Sequence, residues 1–231
     1  MRPDSLAAPE SKPGTSVVSG DARLTIAIAK GRMQDRSLSL LGAAGIQVDQ
    51  DLLKTRRLTV ADRKGEVRFV FVKPADVPVY VEHGIADCGV VGRDVLLESG
   101  ADLLQPLDLK IAQCRIAVAA LSTRPITDLG VVRVATKYPN IALAHFGARG
   151  IPVEIIELSG SVELAPVLGL SDCIVDLVET GQTLAENGLE IVEVITESTG
   201  RFVVNRASYQ LKVEMISSLI KALRTVLQDG E

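Results

Sequence analysis

The feature that most constrains this chain is an alternation. From residue 24 onward, short runs rich in Val, Ile and Ala take turns with segments of helical period. LTIAIA (24–29), EVRFVFV (66–72), IADCGVVG (85–92), CRIAVAAL (114–121), VVRVAT (131–136), PVEIIELS (152–159) and SDCIVDLV (171–178) read as strands, as do LLQPLDL, LEIVEVI and RFVVN. Between them, Arg32 to Leu41 carries Met33, Leu38 and Leu41 on one helical face and stops at Gly42 and Gly45. Pro74 suits the start of a helix that runs to Gly84, because its missing N–H would be unpaired there anyway. Short helices are expected over RDVLLESG, Pro139–Phe146, SVELAPVLG and GQTLAENG. A long one spans Ser208–Leu227, with Val213, Ile216, Leu219, Ile220, Leu223 and Leu227 on one side.

Strand–helix alternation predicts parallel sheets covered by helices on both faces. The unbroken apolar runs agree, since a parallel strand is buried on both sides. The strands are too many for one small sheet. The expected architecture is α/β, with two doubly wound lobes and a central cleft. The first lobe comprises 23–112 plus 191–231 and the second 113–190, with turn-rich Ser122–Gly130 near the first crossing. Clefts between lobes are where ligands bind.

Composition narrows the partners. Three Tyr, four Phe and no Trp leave few platforms for stacking bases. A net charge of −4 supplies no basic field, so no nucleic-acid partner is expected. No apolar run reaches the roughly 18 residues of a membrane span, so no membrane partner is expected. Cys88, Cys114 and Cys173 are too scattered for a zinc or CxxC pattern. They read as reduced core thiols in a cytoplasmic protein. Residues 1–22 lack periodicity and the features of a secretion signal, and are expected to form a loose arm outside the fold.

Two strand-to-helix turns stand out. After strand SDCIVDLV, Thr180, Gly181 and Thr183 open a helix, with Asp176 just upstream. Unpaired N–H groups at a helix start hold a phosphate, Gly lets the backbone approach, and Asp176 can accept from sugar hydroxyls. Ser159, Gly160 and Ser161 form a similar turn with Glu163 beside it. Each turn alone reads equally as an ordinary N-cap or Gly–Ser turn. Two on consecutive strand ends suggest a ligand edge. Cations come from the first lobe: Lys30 and Arg32 after LTIAIA, then Lys54 and Arg56, which share a face if 52–60 is a strand. Guanidinium groups suit pyrophosphate because they bind phosphate bidentately. His83 and His145 have no nucleophilic partner by spacing.

The stretch ELAPVLGLSDCIVDLVETGQTL (163–184) resembles the signature of the ATP phosphoribosyltransferases, the first enzymes of histidine biosynthesis. IAKGR (28–32), KPADVPVYV (73–81), DCGVVGRD (87–94) and VATKYPN (134–140) extend the similarity over about residues 23–210. The resemblance implies a fold like type II periplasmic binding proteins. It implies the reaction ATP + 5-phosphoribosyl-1-pyrophosphate (PRPP) → N1-(5-phosphoribosyl)-ATP + pyrophosphate, with Mg²⁺ held mainly by substrate phosphates. On that basis Thr180, Gly181 and Thr183 cradle the 5-phosphate, and Asp176 and Glu163 face the ribose hydroxyls or their waters. Ser159, Gly160 and Ser161 border the pyrophosphate, and Arg32 and Arg56 stabilise it as it leaves. Lys30 stands among the PRPP contacts, with ATP in the cleft near it and the 73–94 region. The chain resembles the family's short form. That implies a homodimer, and a separate histidyl-tRNA-synthetase-like regulatory subunit through which histidine inhibition acts. The apolar face of 208–227 and the arm are the expected assembly surfaces. A two-lobed solute-binding or effector-sensing module of the same fold is the alternative.

Overall fold

Strand β1 (Leu24–Ala29) is apolar from end to end, and it lies at the centre of a sheet. The computed structural model describes residues 24–49, 51, 57–123 and 130–229. The expected arm, Lys54 and Arg56 lie outside these residues. β1 pairs in parallel with β3 (Val67–Val72) and β4 (Cys88–Gly92). β2 (Thr59–Ala61), β11 (Gly200–Val204) and β5 (Leu104–Asp108) complete the sheet, each paired antiparallel, in the order β2-β3-β1-β4-β11-β5. The second sheet runs β10 (Leu189–Ser198), β6 (Cys114–Leu121), β9 (Cys173–Val178), β7 (Val132–Thr136), β8 (Val153–Glu157). There β7 is parallel to both β8 and β9, while β6 and β10 are antiparallel.

The sheets are therefore mixed, and the purely parallel expectation is corrected. The chain crosses between lobes twice, each time from a strand that runs with the parallel centre of its sheet (β5, β10) to one that runs against it (β6, β11). Sheet membership also moves the expected return at 190/191. β10 pairs with β6 from Leu189↔Leu121 to Ser198↔Cys114, so it belongs to the second sheet and the return falls at Thr199.

Alternation across each strand explains the continuous apolar runs. Leu24, Ile26 and Ile28 enter one core, whereas Ala27 and Ala29 enter the core on the other face. In β6, Ile116, Val118 and Ala120 go one way and Ala117 and Ala119 the other. Helices cover these faces: α1 (Gln34–Ala43), α2 (Val77–Glu82, after a 3-10 turn at Pro74–Asp76), α3 (Arg93–Ser99), α4 (Pro139–Gly147), α5 (Leu164–Val167) and α6 (Gln182–Glu186). None among the described residues is long and apolar enough to cross a membrane.

The expected helix over 208–227 is two helices, α7 (Arg206–Leu211) and α8 (Val213–Asp229), broken at Lys212. At the break, Lys212 Nζ reaches the buried Asp87 carboxylate at 2.8 Å. The apolar face of α8 is not an assembly surface. Ile216, Leu219, Ile220 and Leu223 are buried in the first core with Phe69 and Phe202.

The two crossings are tied together. Gly200 N–H donates to Ile111 O, and Leu109 N–H to Gly200 O, each at 2.8 Å. A Cβ on Gly200 would come within 2.7 Å of Ile111 Cγ1, so only glycine allows this approach. Lys110 and Ala112 take left-handed φ values of 54° and 51° in the first crossing. A second link joins the lobes away from the crossings. The Glu98 carboxylate on α3 accepts from Asn140 N–H at 2.9 Å and Ile141 N–H at 3.0 Å, and Asn140 Nδ2 donates to Glu98 O. A side chain of one lobe thus caps a helix of the other. Glu98→Ala is expected to cost about 0.5–2 kcal/mol, the usual scale for a lost cap. Urea denaturation would show the loss, and an unchanged midpoint would contradict it.

Candidate active site between the lobes

Three parallel strands of the second sheet end at one edge, at Val178, Thr136 and Glu157. Both turns singled out in the sequence leave from that edge. Ser159–Ser161 follows β8 and Glu179–Gly181 follows β9, on either side of the exit from β7. The first sheet presents the corresponding edge. β1, β3 and β4 lead there into Lys30–Arg32, Lys73 and Arg93–Asp94. Ligands of open α/β sheets bind outside such carboxyl ends.

Contacts across the cleft show that the edges face one another. Arg32 Nη1 donates to Glu179 Oε2 at 2.7 Å, and its Nη2 lies 3.7 Å from Cys114 Sγ. Arg93 Nη1 donates to Thr196 Oγ1 at 3.0 Å and Glu197 O at 2.9 Å. Tyr138 donates its hydroxyl to Asp94 Oδ2 at 3.3 Å, while Ser198 Oγ donates to Asp94 Oδ1 at 2.8 Å.

The local geometry of the turns follows from their residues. Gly181 sits at the start of α6 with φ 82°, a left-handed value that favours glycine, and Gln182 N–H donates to Thr180 Oγ1 at 3.3 Å. Ser161 holds φ 49° without being glycine, a strained position of the kind that gathers at ligand sites. Thr180, Thr183, Ser159, Gly160 and Ser161 are exposed, and Glu163 and Asp176 are half-buried. Lys30 is exposed, with its N–H bound to Val72 O at 2.8 Å. Arg56, the second expected cation, lies outside the described residues.

Electrostatics sort these groups. Burial raises the Asp176 carboxyl above its ordinary range. The Leu177 N–H and Lys137 pull it back, and the nearby Glu163 charge raises it further. Tyr138 is pushed far up by burial, then by Asp94 and Asp176, and it stays a donor. For Arg32, burial works against the charged form, but its bonds to Glu179 and Cys114 outweigh that, and its value rises. Among the described residues, no three His, Cys, Asp or Glu side chains converge on one point as a metal cage.

Some residues at the cleft escape sequence reasoning. Cys114 is buried in β6 as a core thiol should be, yet it touches Arg32. Nothing in its spacing signals that. Glu179 lies inside the signature stretch, but its partner is 147 residues away. His145 has no catalytic setting. It is buried on α4, with its Nε2 3.2 Å from the Glu193 carboxylate, and burial and then Arg149 lower its pKa. Two surface hollows of about 320 and 370 Å³ both lie on the first lobe, away from the facing edges. The first is lined by Leu24, Gly45, Asp62 and Met215, at the opposite end of β1.

Fold and site together define a two-lobed α/β protein of the periplasmic-binding-protein type, with exposed strand-to-helix turns on one lobe facing cations on the other. The family model for ATP phosphoribosyltransferase matches residues 73–225. The chain is 50% identical over 209 residues to an ATP phosphoribosyltransferase of Caldanaerobacter subterraneus subsp. tengcongensis, covering 90% of this chain and 99% of the relative. It superposes on the ATP phosphoribosyl transferase (HisG:HisZ) complex from Thermotoga maritima with a TM-score of 0.80 at 38% identity, covering 89% of this chain and 99% of that one. The chain belongs to the ATP phosphoribosyltransferase family, and its activity is that pentosyl transfer, at the entry to histidine biosynthesis. The Escherichia coli periplasmic aliphatic sulphonate binding protein SsuA superposes with a TM-score of 0.55 at 16% identity, covering 88% of this chain and 72% of that one. That likeness shows the fold alone, so it does not favour the solute-binding alternative.

Proposed function

We propose that this chain transfers the phosphoribosyl group between its two facing strand edges. ATP and PRPP enter and N1-(5-phosphoribosyl)-ATP and pyrophosphate leave. The adenine N1 lone pair attacks ribose C1 as the bond from C1 to the pyrophosphate oxygen breaks. N1 carries no proton, so the attack needs no general base, and a site without a paired histidine suits it. The work is electrostatic: neutralising the departing pyrophosphate and the oxocarbenium-like carbon.

The observation that carries this reading is the approach of Arg32 to Glu179, beside the Thr180–Gly181 turn. It supports a cation at the mouth of a phosphate site. In this reading Thr180, Gly181 and Thr183 take the 5-phosphate on the amides and hydroxyls at the start of α6. Asp176 and Glu163 accept from the ribose hydroxyls. Ser159, Gly160 and Ser161 border the pyrophosphate, Arg32 and Arg56 draw it away, and Lys30 helps to hold PRPP. Mg²⁺ fits as an ion carried chiefly by substrate phosphates, because two half-buried carboxylates, Asp176 and Glu163, are hard oxygen donors without forming a full cage. It would supply charge neutralisation of the phosphates.

The Thermotoga structure is described as a complex with a second kind of subunit. We extend this to the present chain as a homodimer that joins a histidyl-tRNA-synthetase-like regulatory subunit, with histidine inhibition acting through that partner. A cytoplasmic location goes with this reading, and three free cysteines accord with it. A pyrophosphate-release assay with ATP, PRPP and Mg²⁺, run with and without a regulatory subunit, tests it. Turnover that depends on both substrates is expected. No turnover under either condition would sink the proposal.

A further inference from the structure

The Arg32–Glu179 pair bridges the lobes at the point where pyrophosphate is expected. Arg32 extends from the edge of the first sheet after β1, and Glu179 begins the phosphate turn after β9. The contact is a single 2.7 Å bond to Nη1, between side chains 42% and 47% exposed. The other end of the guanidinium is held separately, with Nη2 3.7 Å from the buried Cys114 thiol. Cys114 Sγ in turn donates to Ser198 O at the second crossing. Arg32 is thus anchored on one side and loosely paired on the other.

A guanidinium bound to a carboxylate cannot offer the same N–H groups to phosphate. We propose that Glu179 is a positioning residue for Arg32. It holds the guanidinium across the cleft and is exchanged for the pyrophosphate group when PRPP arrives. The exchange removes one of the contacts between the lobes at the moment the substrate enters, while those of Glu98 with Asn140 and of Tyr138 with Asp94 remain. Cys114 keeps Arg32 in place throughout. The proposal rests on the assignment of Arg32 to pyrophosphate made above.

An exposed ion pair is weak, which makes it exchangeable and sets the size of the effect. Displacing it subtracts its strength from PRPP affinity, on the order of two- to fivefold. Glu179→Gln keeps the shape and removes the charge. Calorimetric titration of PRPP with Mg²⁺ into the full chain should therefore show two- to fivefold tighter binding for E179Q. The same titration with R32A and with R32A/E179Q separates the pair from the general field of a carboxylate. In the R32A background the Glu179→Gln gain should vanish. An equal gain in both backgrounds would show a field effect and overturn the proposal. Unchanged or weaker binding by E179Q alone would overturn it as well. Wild-type chain that binds no PRPP would bring down the site assignment itself, and this inference with it.

Discussion

Arg32→Ala is expected to lower turnover by about 10²–10³-fold, the range for losing one donor aimed at developing charge. PRPP affinity should fall much less. In the ground state Arg32 must first leave Glu179, so part of its attraction for PRPP is already offset. In the transition state the C1–O bond is breaking and charge gathers on the departing pyrophosphate. An interaction stronger there than in the ground state shows in kcat rather than in binding. Steady-state kinetics at saturating substrates, set beside calorimetric PRPP affinity, make the comparison. Equal kcat in variant and parent would refute it.

Asp176→Asn should move stability and binding in opposite directions. Burial, first among the causes, raises the folded-state value of this carboxyl above the unfolded value of about 3.9. Between those two values the native chain binds more protons than the unfolded chain, so stability falls as pH rises through that window. Above both values the cost of holding the ionised carboxylate is fully present. Asn carries no such charge, and its side-chain oxygen can still accept from Leu177 N–H, as Asp176 Oδ1 does at 2.8 Å. The variant is therefore expected to melt higher than wild type at pH 7. The gap should shrink as pH falls toward the unfolded value. PRPP binding should weaken by about 10–100-fold, because hydrogen bonds from ribose hydroxyls to a charged acceptor are lost. A variant no more stable at pH 7, or one with unchanged PRPP affinity, would contradict this. Both outcomes together would mark Asp176 as a destabilising charge kept where the proposed site uses it.

Strand positions were legible because burial on two faces leaves an unmistakable apolar run. LTIAIA and CRIAVAAL coincide residue for residue with β1 and β6. The two turns were legible for a similar reason. Gly181 at positive φ and the threonines around it belong to local backbone chemistry that travels with the sequence. Long-range features were not. β10 reads as an ordinary alternating strand, and nothing within it says that it pairs with β6 instead of a strand of the first lobe. The Ser208–Leu227 pattern shows one apolar face but not the break at Lys212, which accompanies a contact with distant Asp87. An apolar face also looks the same whether a core or a partner covers it, and here the core does.

By itself the sequence determined the kinds of element, their order and the two strand-to-helix turns, since period, propensity and turn chemistry act over a few residues. Its signature also named the family. The tertiary structure decided which strand edges meet. It set Glu98 on the end of α4, Cys114 behind Arg32, and Arg32 against Glu179. Those pairings join residues far apart in the chain. Their energies depend on how two lobes are oriented about a pair of crossings, and no local pattern encodes that orientation.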